Sequence, residues 1–133
     1  MASLRLDYPR GNESILLVEP DPETRVLAMF MLGRLGYRAV EARTGAEAIR
    51  LSDQAGGFDL VVVESAMPRM NGYDVAERLK ERYSRMRFLF LSARPITQKG
   101  LRFLCRPFTM GSLATGVRAA LDEGGGKMMT AGG

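Results

Sequence analysis

The sequence predicts a doubly wound α/β domain. Two observations carry this. Three short, uninterrupted apolar runs, at 14–18, 59–63 and 88–91, have the look of strands covered on both faces. Helix-length segments with start and stop signals alternate with them, which implies right-handed crossovers, a parallel sheet and helices on both faces.

Taken in order, residues 1–12 form a polar leader, expected to be flexible, that ends in Pro9, Gly11 and Asn12. The first strand, 14–18, leads into Asp21-Pro22, an N-cap followed by proline at the first helical position. The first helix runs to Leu35 and is stopped by Gly36. A second strand at 37–42 and a helix at 46–54 follow, ended by Gly56-Gly57. The buried run 59–63 gives way to loop signals in Met67-Pro68-Arg69-Met70-Asn71-Gly72, then to a helix at 73–83. Beyond the third run, a strand at 101–105 and a helix at 108–123 complete the domain, with Leu113, Val117 and Leu121 on one face of that helix. The domain is expected to span 13–123, with a disordered tail at 124–133.

The chain has 133 residues, which fits one domain able to bury a core without disulfides. Cys105 is the only cysteine and has no internal partner, which favours a reducing, cytoplasmic setting. There is no histidine. That excludes His–Cys zinc sites, His-activated nucleophiles and a phosphohistidine role for this chain. A net charge of +4 is too mild for a nucleic-acid footprint, and the basic cluster between Arg82 and Arg87 reads as a solvated helix end. No apolar run approaches the roughly 18 residues of a membrane span, and the N-terminus lacks a signal-peptide apolar core.

In such sheets, sites form at the carboxyl ends of strands, beside a topological switch point. The residues there are Glu19, Pro20, Glu64, Ser92 and Arg106. Asp21 adds a third acid, whose first duty is the helix cap. From about Glu13 to Asp122 the chain resembles response-regulator receiver domains of the CheY type. The resemblance rests on Ile15 to Pro22 (a strand and its acidic exit), Asp59 to Gly72 (the acceptor strand and loop), Leu91-Ser92-Ala93 (a hydroxyl-bearing strand end) and Arg106-Pro107-Phe108 (a Lys-Pro-Phe-like element). It implies a flavodoxin-like five-stranded parallel sheet of order 2-1-3-4-5. It also implies aspartyl phosphorylation assisted by Mg²⁺, with a lysine and a hydroxyl gripping the phosphoryl group.

Three positions depart from that pattern. Glu64 stands where the resemblance expects the acceptor aspartate. Pro20 stands for the second of the paired acids and offers a hard cation no carboxylate. Arg106 stands for the lysine, with a planar fork in place of a point charge. An extra methylene moves the Glu64 carboxylate by over ~1 Å, a displacement that can cost ~100-fold in rate. The expectation is a pseudo-receiver with weak or absent Mg²⁺ binding, in which Arg106 pairs directly with Glu64 through a charge-assisted hydrogen bond. Ser92 is a candidate further donor, Phe103 falls where the family often has a switching aromatic, and Glu19 with Asp21 forms the remaining acidic pocket. The rival is a working receiver that accepts phosphate on Glu64. A remote third is a phosphatase-like hydrolase, suggested by Glu19-Pro20-Asp21.

Only 93–105 separates Ser92 from Arg106, too short for the helix the family usually places there, so a fourth helix is expected to be shortened or absent. On the first helix, Leu27, Ala28, Met31 and Leu35 form the expected core face, leaving Val26, Met29, Phe30 and Gly33 outward. An exposed apolar patch of that kind suggests association with a protein partner, such as a histidine kinase or another signalling protein, or homodimerisation through this helix. The functional expectation is therefore a stand-alone, non-enzymatic two-component signalling module acting through protein contacts, with any transcriptional output supplied by another chain.

Overall fold

The structure is a computed structural model and describes residues 7–122. Five strands, β1 (Ser14–Val18), β2 (Arg38–Ala42), β3 (Leu60–Glu64), β4 (Arg87–Ser92) and β5 (Phe103–Cys105), form one parallel sheet in the order β2-β1-β3-β4-β5. Helices α1 (Pro22–Arg34), α2 (Gly45–Ala55), α3 (Gly72–Arg82) and α4 (Met110–Asp122) flank it. The expected order is thus observed. Winding reverses between β1 and β3, whose register pairs Val18 with Val63, so the residues leaving both strands emerge side by side.

Strand alternation divides the core in two. Ile15, Leu17, Leu60, Val62, Leu89 and Leu91 pack against α1 and α4; Leu16, Val18, Val61, Val63 and Phe90 pack against α2 and α3. Side chains on both faces are fully or almost fully buried, as the continuous apolar runs require.

The phase of α1 differs from the expectation. Its buried stripe is Arg25, Ala28, Leu32 and Leu35; Leu27 is exposed, and Met31 only flanks the core. Met29, expected outward, is half-buried against the core. The helix is rotated by roughly 60° from the expected face, at ~100° per residue. The cause is Arg25. Its guanidinium Nη1 donates to the carbonyls of Glu19 (2.9 Å) and Pro20 (3.1 Å), so a charged residue belongs to the inward stripe. Val26 and Phe30 remain exposed as expected, joined by Leu27.

Residues 93–102 contain no helix, so the fourth crossover is bare chain, with Ile96 and Leu101 half-covering the core beneath. The last helix starts at Met110, two residues later than expected. Thr109 and Ser112 cap one another there: Ser112 N–H donates to Thr109 Oγ1 (3.0 Å), and Thr109 N–H to Ser112 Oγ (2.9 Å). Gly111, which weakens the helical pattern, sits where the Tyr8 ring rests; a Cβ there would meet Tyr8 Cε1 at 3.0 Å. The described part of the leader, 7–12, makes contacts with the domain. Tyr8 packs on the core, Gly11 N–H donates to the Leu35 carbonyl (3.2 Å), and Arg118 Nη1 donates to the Arg10 carbonyl (3.0 Å). The tail expected at 124–133 lies outside the described residues.

Candidate functional site

The switch point brings Glu19 and Glu64 together at the ends of β1 and β3, both almost fully buried. Each carboxylate meets its environment differently. Glu64 Oε2 accepts from the Ala66 N–H (3.1 Å), and Arg106 Nε lies 2.9 Å from Glu64 Oε1. That N–H is not aimed along the line to the oxygen, so the contact is an ion pair and not a hydrogen bond. Neither atom has another hydrogen-bond partner among the described residues. Arg106 is about one-third exposed (34%) while Glu64 is 4% exposed, so the guanidinium closes the pocket from its mouth.

Glu19 Oε2 accepts from the Asp21 N–H (3.0 Å), but its Oε1 has no hydrogen-bond partner among the described residues. Burial pushes the Glu19 carboxyl above its ordinary range. The Asp21 N–H opposes this, the nearby Glu64 charge adds to it, and Arg106 offsets it in part. Asp21 itself faces away, into the helix cap. Thr24 donates to its Oδ2 through both N–H (2.9 Å) and hydroxyl (2.8 Å), which hold its carboxyl below the usual range.

Local sequence explains the loop beneath Glu64. Gly72 opens α3 so close to β3 that a Cβ would fall 2.2 Å from the Glu64 carbonyl oxygen. Its N–H donates to the Ser65 carbonyl (2.9 Å), and Asn71 caps the helix through the Asp74 N–H (2.9 Å). The Asn-Gly pair is thus what lets the chain turn tightly behind the carboxylate.

The other expected residues are less central. Ser92 is buried, but its hydroxyl donates to the Arg94 carbonyl (2.5 Å) and accepts from the Arg94 N–H (3.2 Å), which closes a local turn and not a bond to Glu64. Phe103 opens edge strand β5 beside Phe90 in register and is exposed. Val26, Leu27 and Phe30 form an exposed apolar surface on α1. Leu27 also lines a cleft with Arg106, Pro107 and Phe108, so that surface runs up to the mouth of the pocket. Sequence reasoning missed Arg25, which pins the β1–α1 loop by its two carbonyls and reaches toward Glu41 (3.5 Å). The available signal was its place three residues before Ala28, on the inward stripe.

The model of the response regulator receiver domain matches residues 15–105. The chain belongs to this family. The receiver domain is 31% identical over 122 residues to the sensor kinase CckA of Brucella abortus, covering 85% of this chain and 13% of that protein. It is 32% identical over 114 residues to the transcriptional regulatory protein YcbL of Bacillus subtilis, covering 80% and 50%. The chain thus spans half or less of these curated relatives. Among solved structures, the receiver domain of HemR from Leptospira biflexa is 30% identical, with a TM-score of 0.72 and coverage of 82% of this chain and 94% of that one. The chemotaxis protein CheY4 of Vibrio cholerae, 22% identical with a TM-score of 0.75, covers 84% of this chain and 100% of its own, and shows the fold alone. Receiver domains are signalling modules of two-component systems, and the hydrolase expectation finds no support here. No helix among the described residues is long and apolar enough to cross a membrane.

Proposed function

We propose that this receiver domain is a pseudo-receiver: a cytoplasmic signalling module that works by protein contact and does not depend on metal-assisted phosphorylation. One observation carries the reading. Arg106 lies 2.9 Å from the buried Glu64 carboxylate, which fills with protein charge the place the family resemblance gives to an acceptor and its metal.

The donor set does not fit Mg²⁺. A hard divalent ion prefers near-octahedral oxygen ligands. Pro20 supplies no side-chain oxygen, Asp21 Oδ2 is held by Thr24 in the helix cap, and a Glu64 oxygen faces a guanidinium. The pocket is one carboxylate, Glu19, away from balance, and burial favours its neutral form. A Glu64 held by Ala66 and Arg106 acts as a fixed negative charge and a poor nucleophile.

Output is assigned to the apolar surface of α1, where Val26 and Phe30 are each more than three-fifths exposed and Leu27 joins them. Its occupant is a kinase or another signalling protein, or a second copy of the domain. Because Leu27 lines the same cleft as Arg106, a partner seated there touches the residue that closes the pocket.

The pair of changes Glu64→Asp and Pro20→Asp, made together, tests the site. The double variant is expected to gain Mg²⁺ binding and phosphorylation from a small acyl phosphate in the presence of Mg²⁺; if it remains inert while folded, the pocket is not a disabled acceptor site. Phe30→Asp tests the surface by size-exclusion light scattering and kinase co-purification. A folded variant with unchanged oligomeric state and unchanged partner binding would sink the assignment to α1.

A further inference from the structure

A parallel sheet is stable with both faces covered. Here the crossover from β4 to β5 has ten residues, 93–102, and no helix, while such connections usually take a dozen or more. On the α3 side of the sheet this leaves a groove of about 320 Å³. Phe88, Phe90, Ala76 and Met86 form its apolar lining, and Tyr73 stands over Phe90 with ring centroids 4.9 Å apart.

The charges around it are unbalanced. Lys80, Arg87 and Arg102 line the groove against one carboxylate, Glu77. Arg102 is already engaged. Lys80 and Arg87 have no ion-pair partner among the described residues, and the buried Nε of Arg87 lacks a hydrogen-bond partner. Partial burial depresses the Lys80 ammonium below its ordinary range, so its charge is held at a cost that an incoming carboxylate would remove.

We propose that this groove docks an acidic amphipathic helix from a partner protein, which takes in trans the place that a crossover helix would fill. Apolar side chains at i, i+3 or i+4 and i+7 would enter between Phe88 and Tyr73, with Glu or Asp at the flanks meeting Lys80 and Arg87. The helical occupant follows from the place beside α3 that the helix-free crossover 93–102 leaves unfilled; the acidic flanks follow from the two unpartnered cations. This surface lies on the opposite side of the sheet from α1, and the inference does not depend on whether Glu64 accepts phosphate.

The test uses the full chain and two synthetic helical peptides with the same leucine spacing, one flanked by Glu and one by Lys. Binding is followed by fluorescence anisotropy and by backbone amide shifts. The Glu peptide is expected to bind and to shift amides around Tyr73, Lys80 and Phe88. Lys80→Glu and Arg87→Glu, each checked for folding, are each expected to weaken it by roughly tenfold. Equal binding of the Lys peptide, no binding of the Glu peptide, or shifts confined to Val26 and Phe30 would overturn the proposal. So would saturable binding in the groove of a small apolar carboxylate, dodecanoate, with neither peptide bound, since that would mark a small-molecule site.

Discussion

The strand-end pocket and the groove beside α3 handle charge in opposite ways. In the pocket, two carboxylates are buried and the chain supplies its own cation, Arg106, together with backbone N–H groups from Ala66 and Asp21. In the groove, Lys80 and Arg87 border an apolar floor, and no carboxylate among the described residues, the neighbouring Glu77 included, forms an ion pair with them. The first region is closed on itself. The second is left open to something outside.

The same contrast extends to packing. Leu32 is fully buried between α1 and the sheet, whereas Leu101 half-covers the core where the fourth crossover lacks a helix. Leu32→Ala is expected to destabilise by about 2–5 kcal/mol, the range for a buried leucine that leaves a cavity. Leu101→Ala should cost about 1 kcal/mol. Urea unfolding of both variants measures the difference; equal losses would mean that the two layers are equally close-packed.

Next in size is the ion pair. Breaking a fully buried pair costs about 3–5 kcal/mol. Arg106 is about one-third exposed, so water screens the loss and Arg106→Ala is expected to cost about 2 kcal/mol. Lys80→Ala in the groove should stay within about 0.5 kcal/mol, since it removes an unpartnered charge. If Lys80→Ala proves as destabilising as Arg106→Ala, Lys80 has a partner within the chain and the groove is not open.

The smallest effect is read from pH. Glu19 has a carboxyl raised by burial above its ordinary value of 4.5. The folded state therefore holds its proton to higher pH than the unfolded chain does. Its contribution is fully present below 4.5 and is lost as pH rises through the folded value. Asp21 and Glu13 are lowered and act in the other direction, losing their contribution as pH falls. Glu19→Gln should thus raise stability at neutral pH, with the gain shrinking toward pH 4.5. A gain that is constant with pH would remove Glu19 from this account.

Much of the fold was legible because buried parallel strands announce themselves as unbroken apolar runs. The strand ends then named Glu19, Glu64, Ser92 and Arg106, and the short interval before Arg106 foretold the missing helix. The phase of α1 was not legible, because a polarity pattern assigns Arg25 to water while two loop carbonyls draw it inward. Ser92 was found, but its commitment to Arg94 depends on a turn that spacing does not encode. The groove was invisible for a related reason: Lys80 lies outside the basic cluster in sequence, and Arg87, read as part of a solvated helix end, instead opens β4 with its Nε buried; both become informative only when α3 and β4 lie side by side without a covering helix.

The central claim is that Glu64 is a fixed charge paired with Arg106 and not a phosphate acceptor. The direct measurement is the intact mass of the wild-type chain after incubation with a small acyl phosphate, with and without Mg²⁺. The account predicts an unchanged mass in both conditions. A stoichiometric adduct of one phosphoryl group that requires Mg²⁺ and maps to Glu64 would contradict it.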